Sequence, residues 1–191
     1  DYAAALGRFA AGEVRVLIGT QMIAKGLDFP GVTLVGVLDA DTALSQADFR
    51  SAERTFQLVS QVAGRAGRGT ALGRVIIQTA SPGEPAIQLA AAHDYETFAE
   101  RELAERTRYG LPPSVRMARV ICRDEDASKA RTRALGLAER LKSSDVRVHG
   151  PAPCGVARIA GQHRIAVDVL GSSAAVVQAA LLELRRNGLI T

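Results

Sequence analysis

The sequence predicts an α/β fold, a parallel sheet with flanking helices, followed by a smaller α+β domain. Three observations predict it. Apolar, β-branched runs at Val14–Ile18, Val32–Leu38 and Val75–Ile77 lack strict polar alternation, the pattern of strands buried on both faces. Helical patterns alternate with them: Tyr2–Ala11, a short turn near Met22–Lys25, and Ser51–Ala66, as in a doubly wound layer. Then Leu111-Pro112-Pro113 stops any helix running into it, because proline offers no amide donor and its ring clashes with the preceding turn.

The first region is expected to span residues 1–84, with its sheet incomplete at the N-terminus. Pro82 and Pro85 close it. Ile87, Ala91, Tyr95 and Phe98 then recur at helical spacing in a segment rich in Glu and Arg, so residues 85–111 are expected to form one amphipathic connecting helix. Residues 112–191 read as a strand at Val115–Cys122, a helix at Ala127–Leu141, strands near Val146 and Ile159, a strand at Ile165–Val169 and a helix at Ala174–Arg186. Ala130, Ala134, Leu137 and Leu141 make one apolar stripe, and Val176, Val177, Ala180, Leu181 and Leu184 another. Both helices are therefore expected on one face of the sheet.

An apolar fraction of 47% over 191 residues supplies material for real cores, and a soluble globular protein is expected. No run approaches the roughly 20 apolar residues that span a bilayer, and no signal segment opens the chain, so no membrane association and a cytoplasmic location are expected. The chain begins at Asp1 without Met and enters at once an Ala-rich helical stretch, as a piece cut from something longer would. Cys122 and Cys154 have no neighbouring Cys or His pair, which fits neither a disulfide framework nor a zinc module. The net charge of +4 is uneven: residues 1–84 carry 8 basic and 8 acidic side chains, 85–111 carry 3 and 5, and 112–191 carry 13 and 7. A basic last third suits a polyanionic partner.

The most specific segment is Gln61-Val62-Ala63-Gly64-Arg65-Ala66-Gly67-Arg68-Gly69. On a helix, Gln61, Arg65 and Arg68 fall at i, i+4 and i+7, one polar stripe, opposite the apolar stripe of Leu58, Val62 and Ala66. Gly64 and Gly67 inside a helix cost roughly 1 kcal/mol each, a cost that close approach of an anionic surface would offset. Two guanidinium groups pointing one way are suited to the negative charge that spreads over a γ-phosphoryl group in its transition state. Arg65 and Arg68 are therefore the expected catalytic residues, with Gln61 and Gly64 at the nucleotide. A second segment, Ile18-Gly19-Thr20-Gln21-Met22-Ile23-Ala24-Lys25-Gly26-Leu27-Asp28-Phe29-Pro30, places a turn after a strand, at the sheet edge where open α/β folds bind ligands. Thr20, Gln21 and backbone amides there suit DNA phosphates, Lys25 adds a compact charge, and Gly26 lets the chain turn.

Gln-x-x-Gly-Arg-x-Gly-Arg resembles the sixth motif of superfamily 2 helicases, and the segment from Ile18 to Pro30 is similar to the fifth. The variant Gln61–Gly69 resembles the PriA family of replication-restart helicases in particular. That resemblance continues through Val35–Asp41, Asp48–Thr55, His93–Glu96, Glu102-Leu103, Pro112-Pro113 and Gly150–Pro153, essentially the whole chain. It implies that residues 1–84 are the second RecA-like motor lobe of a helicase and that Asp28 faces the nucleotide. It implies ATP and Mg²⁺ as cofactors, with the metal ligands mainly in a first lobe, and zinc only in an upstream module. Forked and single-stranded DNA, single-stranded DNA-binding protein and primosome proteins are the partners it implies, with 3′–5′ unwinding at stalled forks.

Asp39 and Asp41 follow a strand two residues apart, a spacing that tempts a metal reading. We read them instead as a helix-capping or DNA-facing loop and expect no metal ligand in this chain. In the C-terminal domain the family shows an aromatic-rich Arg-x-Arg stretch where this chain has Gly161-Gln162-His163-Arg164-Ile165, so only Arg164 is carried over as a DNA contact. The sequence lacks a Gly-x-x-x-x-Gly-Lys-[Ser/Thr] loop, an Asp-Glu-x-His box and an eight-cysteine module, and the chain alone is expected not to hydrolyse ATP. Two other readings fit the same residues: another superfamily 2 translocase, or a non-catalytic module that binds DNA or a partner.

Overall fold

The computed structural model describes residues 2–20, 29, 31–64, 73–142 and 145–190. Their elements run α1 (Tyr2–Ala10), β1 (Leu34–Val37), α2 (Asp41–Leu44), α3 (Ser51–Ala63), β2 (Arg74–Ile77), α4 (Pro85–Ala91), α5 (Tyr95–Tyr109), β3 (Arg116–Asp124), α6 (Ala127–Leu141), β4 (Arg147–Ile159), β5 (Gln162–Gly171) and α7 (Ala174–Arg186). They divide into two units: Asp1–Gln46 with Arg50–Phe98, and Ala47–Phe49 with Ala99–Thr191.

In the first unit β1 and β2 pair in parallel, Leu34 opposite Arg74 and Val37 opposite Ile77. A parallel pair needs a crossover, and α3 lies within it in sequence. Apolar positions of α3 recur at helical spacing, so Phe56, Val59 and Val62 turn inward together. Val62 packs with Val37, Ala40 and Ile87. Phe56 and Val59 pack with Ala86, Ala90 and Phe98, and the Phe56 and Phe98 rings stack at 4.2 Å. Thr55 is fully buried among them, and its hydroxyl donates to the Ser51 carbonyl at 2.9 Å.

Several expectations are corrected here. Residues 14–20 form no strand, and Val16 and Ile18 are 72% and 83% exposed. A strand exists through its ladder, and an apolar run beside no hydrogen-bonding neighbour stays irregular. The two strands that do form are not buried on both faces, since Leu34 and Ile76 are 56% and 53% exposed while Val37 is buried. The turn near Met22–Lys25 lies outside the described residues.

The single connecting helix is two helices. Ala90 and Leu89 carbonyls accept the His93 and Asp94 amides at 3.1 and 2.9 Å, with His93 in the left-handed region at φ 55°. These are the two bonds of a Schellman cap, and Asp94 at once starts α5 by accepting the Thr97 amide at 3.1 Å. The helical spacing of Ile87, Ala91, Tyr95 and Phe98 passes over this break because each half keeps its own phase. At the far end, Gly110 at φ 60° gives α5 the same kind of cap, its amide meeting the Thr107 carbonyl and Leu111 that of Arg106.

The second unit is a three-stranded antiparallel sheet in the order β3-β5-β4. β3 pairs with β5 without interruption from Arg116↔Gly171 to Asp124↔His163. Ala118, Val120 and Cys122 therefore face the same side as Val169, Val167 and Ile165. α6 and α7 cover that side, and Ala130, Ala134, Leu137, Leu141, Ala180 and Leu184 join those strand residues in one core. Both helices have side-chain caps, Asp126 accepting the Ser128 and Lys129 amides and Ser173 accepting that of Val176.

The two strands expected near Val146 and Ile159 are the ends of one long strand, β4. It keeps its identity through two register shifts, between His149 and Ala152 and between Pro153 and Arg158. At the first, Gly150 sits at φ 95° and a Cβ there would meet the Ala166 carbonyl oxygen at 2.8 Å, so the backbones approach closely only with glycine.

Candidate nucleotide and nucleic-acid site

The helix bearing the arginine motif ends earlier than its sequence suggests. Gln61 occupies the last turn of α3 and is partly buried, Ala63 is the last helical residue, and Gly64 is its C-cap at φ −69°. Gly64 therefore stands at the helix end, not inside it, which lowers the propensity cost expected for an interior glycine. A Cβ at Gly64 would meet only carbonyls of its own helix at ordinary contact distance, Ser60 at 3.5 Å and Gln61 at 3.8 Å. Arg65, Gly67 and Arg68 lie outside the described residues, as do Gln21, Lys25, Gly26 and Asp28. Thr20 closes the exposed irregular stretch 14–20.

The carboxyl edge of the parallel sheet is fully described, and its two acidic residues are committed. Asp39, in the left-handed region at φ 53°, accepts the Thr42 amide at 3.2 Å and the Thr42 hydroxyl at 2.5 Å, closing the start of α2. Asp41 accepts the Thr79 hydroxyl at 2.9 Å and the Ala80 amide at 2.8 Å, which fastens the β1 end to the chain leaving β2. The Ala80 amide, and after it the Thr79 hydroxyl, hold the Asp41 carboxyl below the ordinary carboxylate range. These bonds are those of a capping loop. Among the described residues no group of three or more His, Cys, Asp and Glu side chains could hold a metal ion. Asp39 and Asp41 do not fit one, because their oxygens already face hydroxyl and amide donors.

In the second unit Arg164 lies on β5 directly opposite Arg123 of β3. Its Nη1 donates to the Val156 carbonyl at 3.1 Å, and its Nε is buried with no hydrogen-bond partner among the described residues. Two like charges at opposed positions on one sheet face repel, and an anion between them relieves that repulsion. Two positions along the same face, Arg119 holds Asp168 through both nitrogens at 2.6 and 2.8 Å. That carboxylate raises the Arg119 pKa and satisfies its fork, so Arg119 is structural while Arg123 and Arg164 keep their charge available.

Sequence reasoning missed three cross-chain ties: Asp41 to Thr79 and Ala80, Arg119 to Asp168, and Arg147 to the Tyr109 and Gly110 carbonyls. Their partners lie 37 to 49 positions apart, and nothing in linear order announces them. The β3–β5 register is the one signal that would have found Arg119 with Asp168.

Comparison with known proteins follows the same division of the chain. Residues 3–70 match the helicase conserved C-terminal domain, and residues 107–188 match the primosomal protein N C-terminal domain. The chain is similar to the replication restart protein PriA of Bacillus subtilis, 50% identical over 162 residues, covering 83% of this chain and 20% of that protein. It is similar to PriA of Treponema pallidum, 46% identical over 176 residues with 90% and 26% covered. PriA of Synechocystis is 43% identical over 164 residues, with 84% and 20% covered. The chain thus spans about a fifth to a quarter of the length of these relatives.

Proposed function

We propose a function from one premise: the chain belongs to the PriA family of replication restart proteins, as its C-terminal part. It is the second motor lobe and basic C-terminal domain of an ATP-dependent 3′–5′ DNA helicase that restarts stalled replication forks and initiates primosome assembly in the cytoplasm. The reading assigns residues 1–84 to the lobe, 85–111 to a connector and 112–191 to the C-terminal domain.

Arg65 and Arg68 present their guanidinium groups to the γ-phosphoryl oxygens of a nucleotide held by a first lobe outside this chain. Bound ATP supplies the phosphoryl group and Mg²⁺ its charge balance, with metal ligands outside this chain. Gln61 and Gly64 carry the motif at the end of α3, and Gly26 and Asp28 face the nucleotide. Thr20, Gln21 and Lys25 hold the backbone of single-stranded DNA. The guanidinium groups are effective only when the lobes close, because their electrostatic contribution needs a water-excluded cleft. Closing and opening then alternate grip and release on the strand, and repetition gives translocation. Salt weakens this grip because phosphate contacts release counterions. Arg164, with Arg123 opposite, adds a DNA contact in the C-terminal domain. Single-stranded DNA-binding protein and primosome proteins complete the reading.

The observation that carries this reading is the pair of arginines following the buried helix α3, in a family of replication-restart helicases. Arg68→Ala in the intact protein tests it. DNA-stimulated ATP turnover is expected to fall by about 10³ to 10⁵, the worth of an arginine finger, while affinity for forked DNA stays within about twofold. Undiminished turnover removes Arg68 from the chemistry.

A further inference from the structure

The second unit has an open groove of about 1280 Å³ that the motor chemistry does not use. It runs along β3, lined by six consecutive residues, Ala118 to Arg123. Successive strand residues point to opposite faces, so a groove touching all six follows the strand's edge rather than either face. β3 is an outer strand: β5 is on one side, and among the described residues no strand is on the other. Its outward amides and carbonyls are a template for one more strand.

The walls complete the shape. Arg133, Gly136, Leu137 and Arg140 line it from α6 and Gln178, Leu181, Leu182 and Arg185 from α7, each set at i, i+3, i+4 and i+7. Leu182 is 51% exposed, and Leu181 and Ile190 are only partly covered, so the floor is apolar and open. Five arginines line the groove, and no Asp or Glu does. Arg133 closes one end, meeting the Asp124 carboxylate at 3.1 Å and the Arg123 carbonyl at 3.4 Å, which leaves Ala118–Cys122 as the accessible edge.

We propose that this groove binds an extended acidic peptide segment of a protein partner, which adds to the sheet as a fourth strand beside β3. Alternate apolar side chains enter the floor between α6 and α7, and the carboxylates meet the arginines. Peptide addition to a sheet edge gains its affinity from main-chain hydrogen bonds and its selectivity from pockets for alternate side chains. Single-stranded nucleic acid fits less well, since no aromatic residue lines the groove to stack a base. The facing pair Arg123 and Arg164 lies on the sheet face away from the helices, so this site is separate from the proposed DNA contact.

The test uses the 191-residue chain and a fluorescein-labelled seven-residue peptide of alternating valine and glutamate. Saturable binding with slowed amide exchange at residues 118–122 is expected. An isomer with the valines and glutamates in blocks, and a peptide N-methylated at alternate nitrogens, are each expected to bind at least about tenfold more weakly. Gly136→Trp fills the groove, because a Cβ there meets nothing within 4 Å, and is expected to cost at least about tenfold in affinity. Arg185→Glu, on an exposed helix position, is expected to do the same without altering the fold, so the proposal stays testable should the tryptophan variant misfold. Absence of saturable binding overturns the proposal. So does equal binding of the block or N-methylated peptide, which would reduce the site to diffuse charge. Displacement by a thymidine oligonucleotide with the same protection of β3 would assign the groove to nucleic acid and overturn it equally.

Discussion

The two units of this chain solve the same problem differently. The second unit covers one face of its sheet with two helices and gathers Cys122, Ile165, Val167, Val169, Ala134, Leu141 and Leu184 into one core from five elements. The first unit buries one side of a two-stranded sheet and leaves Leu34 and Ile76 on the other exposed. A sheet with one uncovered apolar face is half of a layered design, and the motifs that carry its chemistry are half of a nucleotide site. The second unit's core is complete within its own residues. What the difference teaches is where to look for function: the incomplete unit is the motor element, and the complete one is the platform for DNA and partners.

Cavities give the largest effect on this contrast. Leu141 is 1% exposed in the second core, and Leu141→Ala should cost about 3 kcal/mol by loss of packing, read as the second transition in urea unfolding. Val59→Ala removes less volume from the smaller first core and should cost about 1 to 2 kcal/mol, read in the first transition. A single shared transition in both variants would contradict two separate cores.

Helix capping is smaller. Asp126 satisfies two amide donors at the start of α6, and Asp126→Ala should lower the stability of the second unit by about 1 kcal/mol without moving the first. The smallest effect is a pH dependence confined to the first unit. The folded Asp41 carboxyl lies below its ordinary value, so its contribution is present above that value and is lost as pH falls through the folded pKa. Melting temperatures of the parent chain and Asp41→Asn should differ at pH 7 and converge as the solution is acidified below pH 4, about the ordinary carboxylate value. A constant difference across that range would remove Asp41 as the titrating group.

Legibility followed the same divide. The bounds of α6 and α7 were readable to the residue, because an apolar stripe at helical spacing begins just after a capping Asp126 or Ser173. The parallel pairing of β1 with β2 was readable from two unalternating apolar runs. The run Val14–Ile18 had the same composition and formed no strand, since composition carries no information about whether a ladder partner is at hand. The break at Ala92-His93-Asp94 was hidden because His93, not glycine, takes the left-handed position. Of the candidate site, the order of motifs was readable in full, whereas the capping of Asp39 by Thr42 and of Asp41 by Thr79 needed the sheet edge to bring them together.

The account depends on catalysis being divided between this lobe and another, and ATP turnover by the 191-residue chain measures that most directly. With single-stranded DNA present, the chain alone should release phosphate no faster than buffer, while the intact protein containing it turns over and Arg65→Ala stops it. DNA-stimulated hydrolysis by the isolated chain would contradict a shared site.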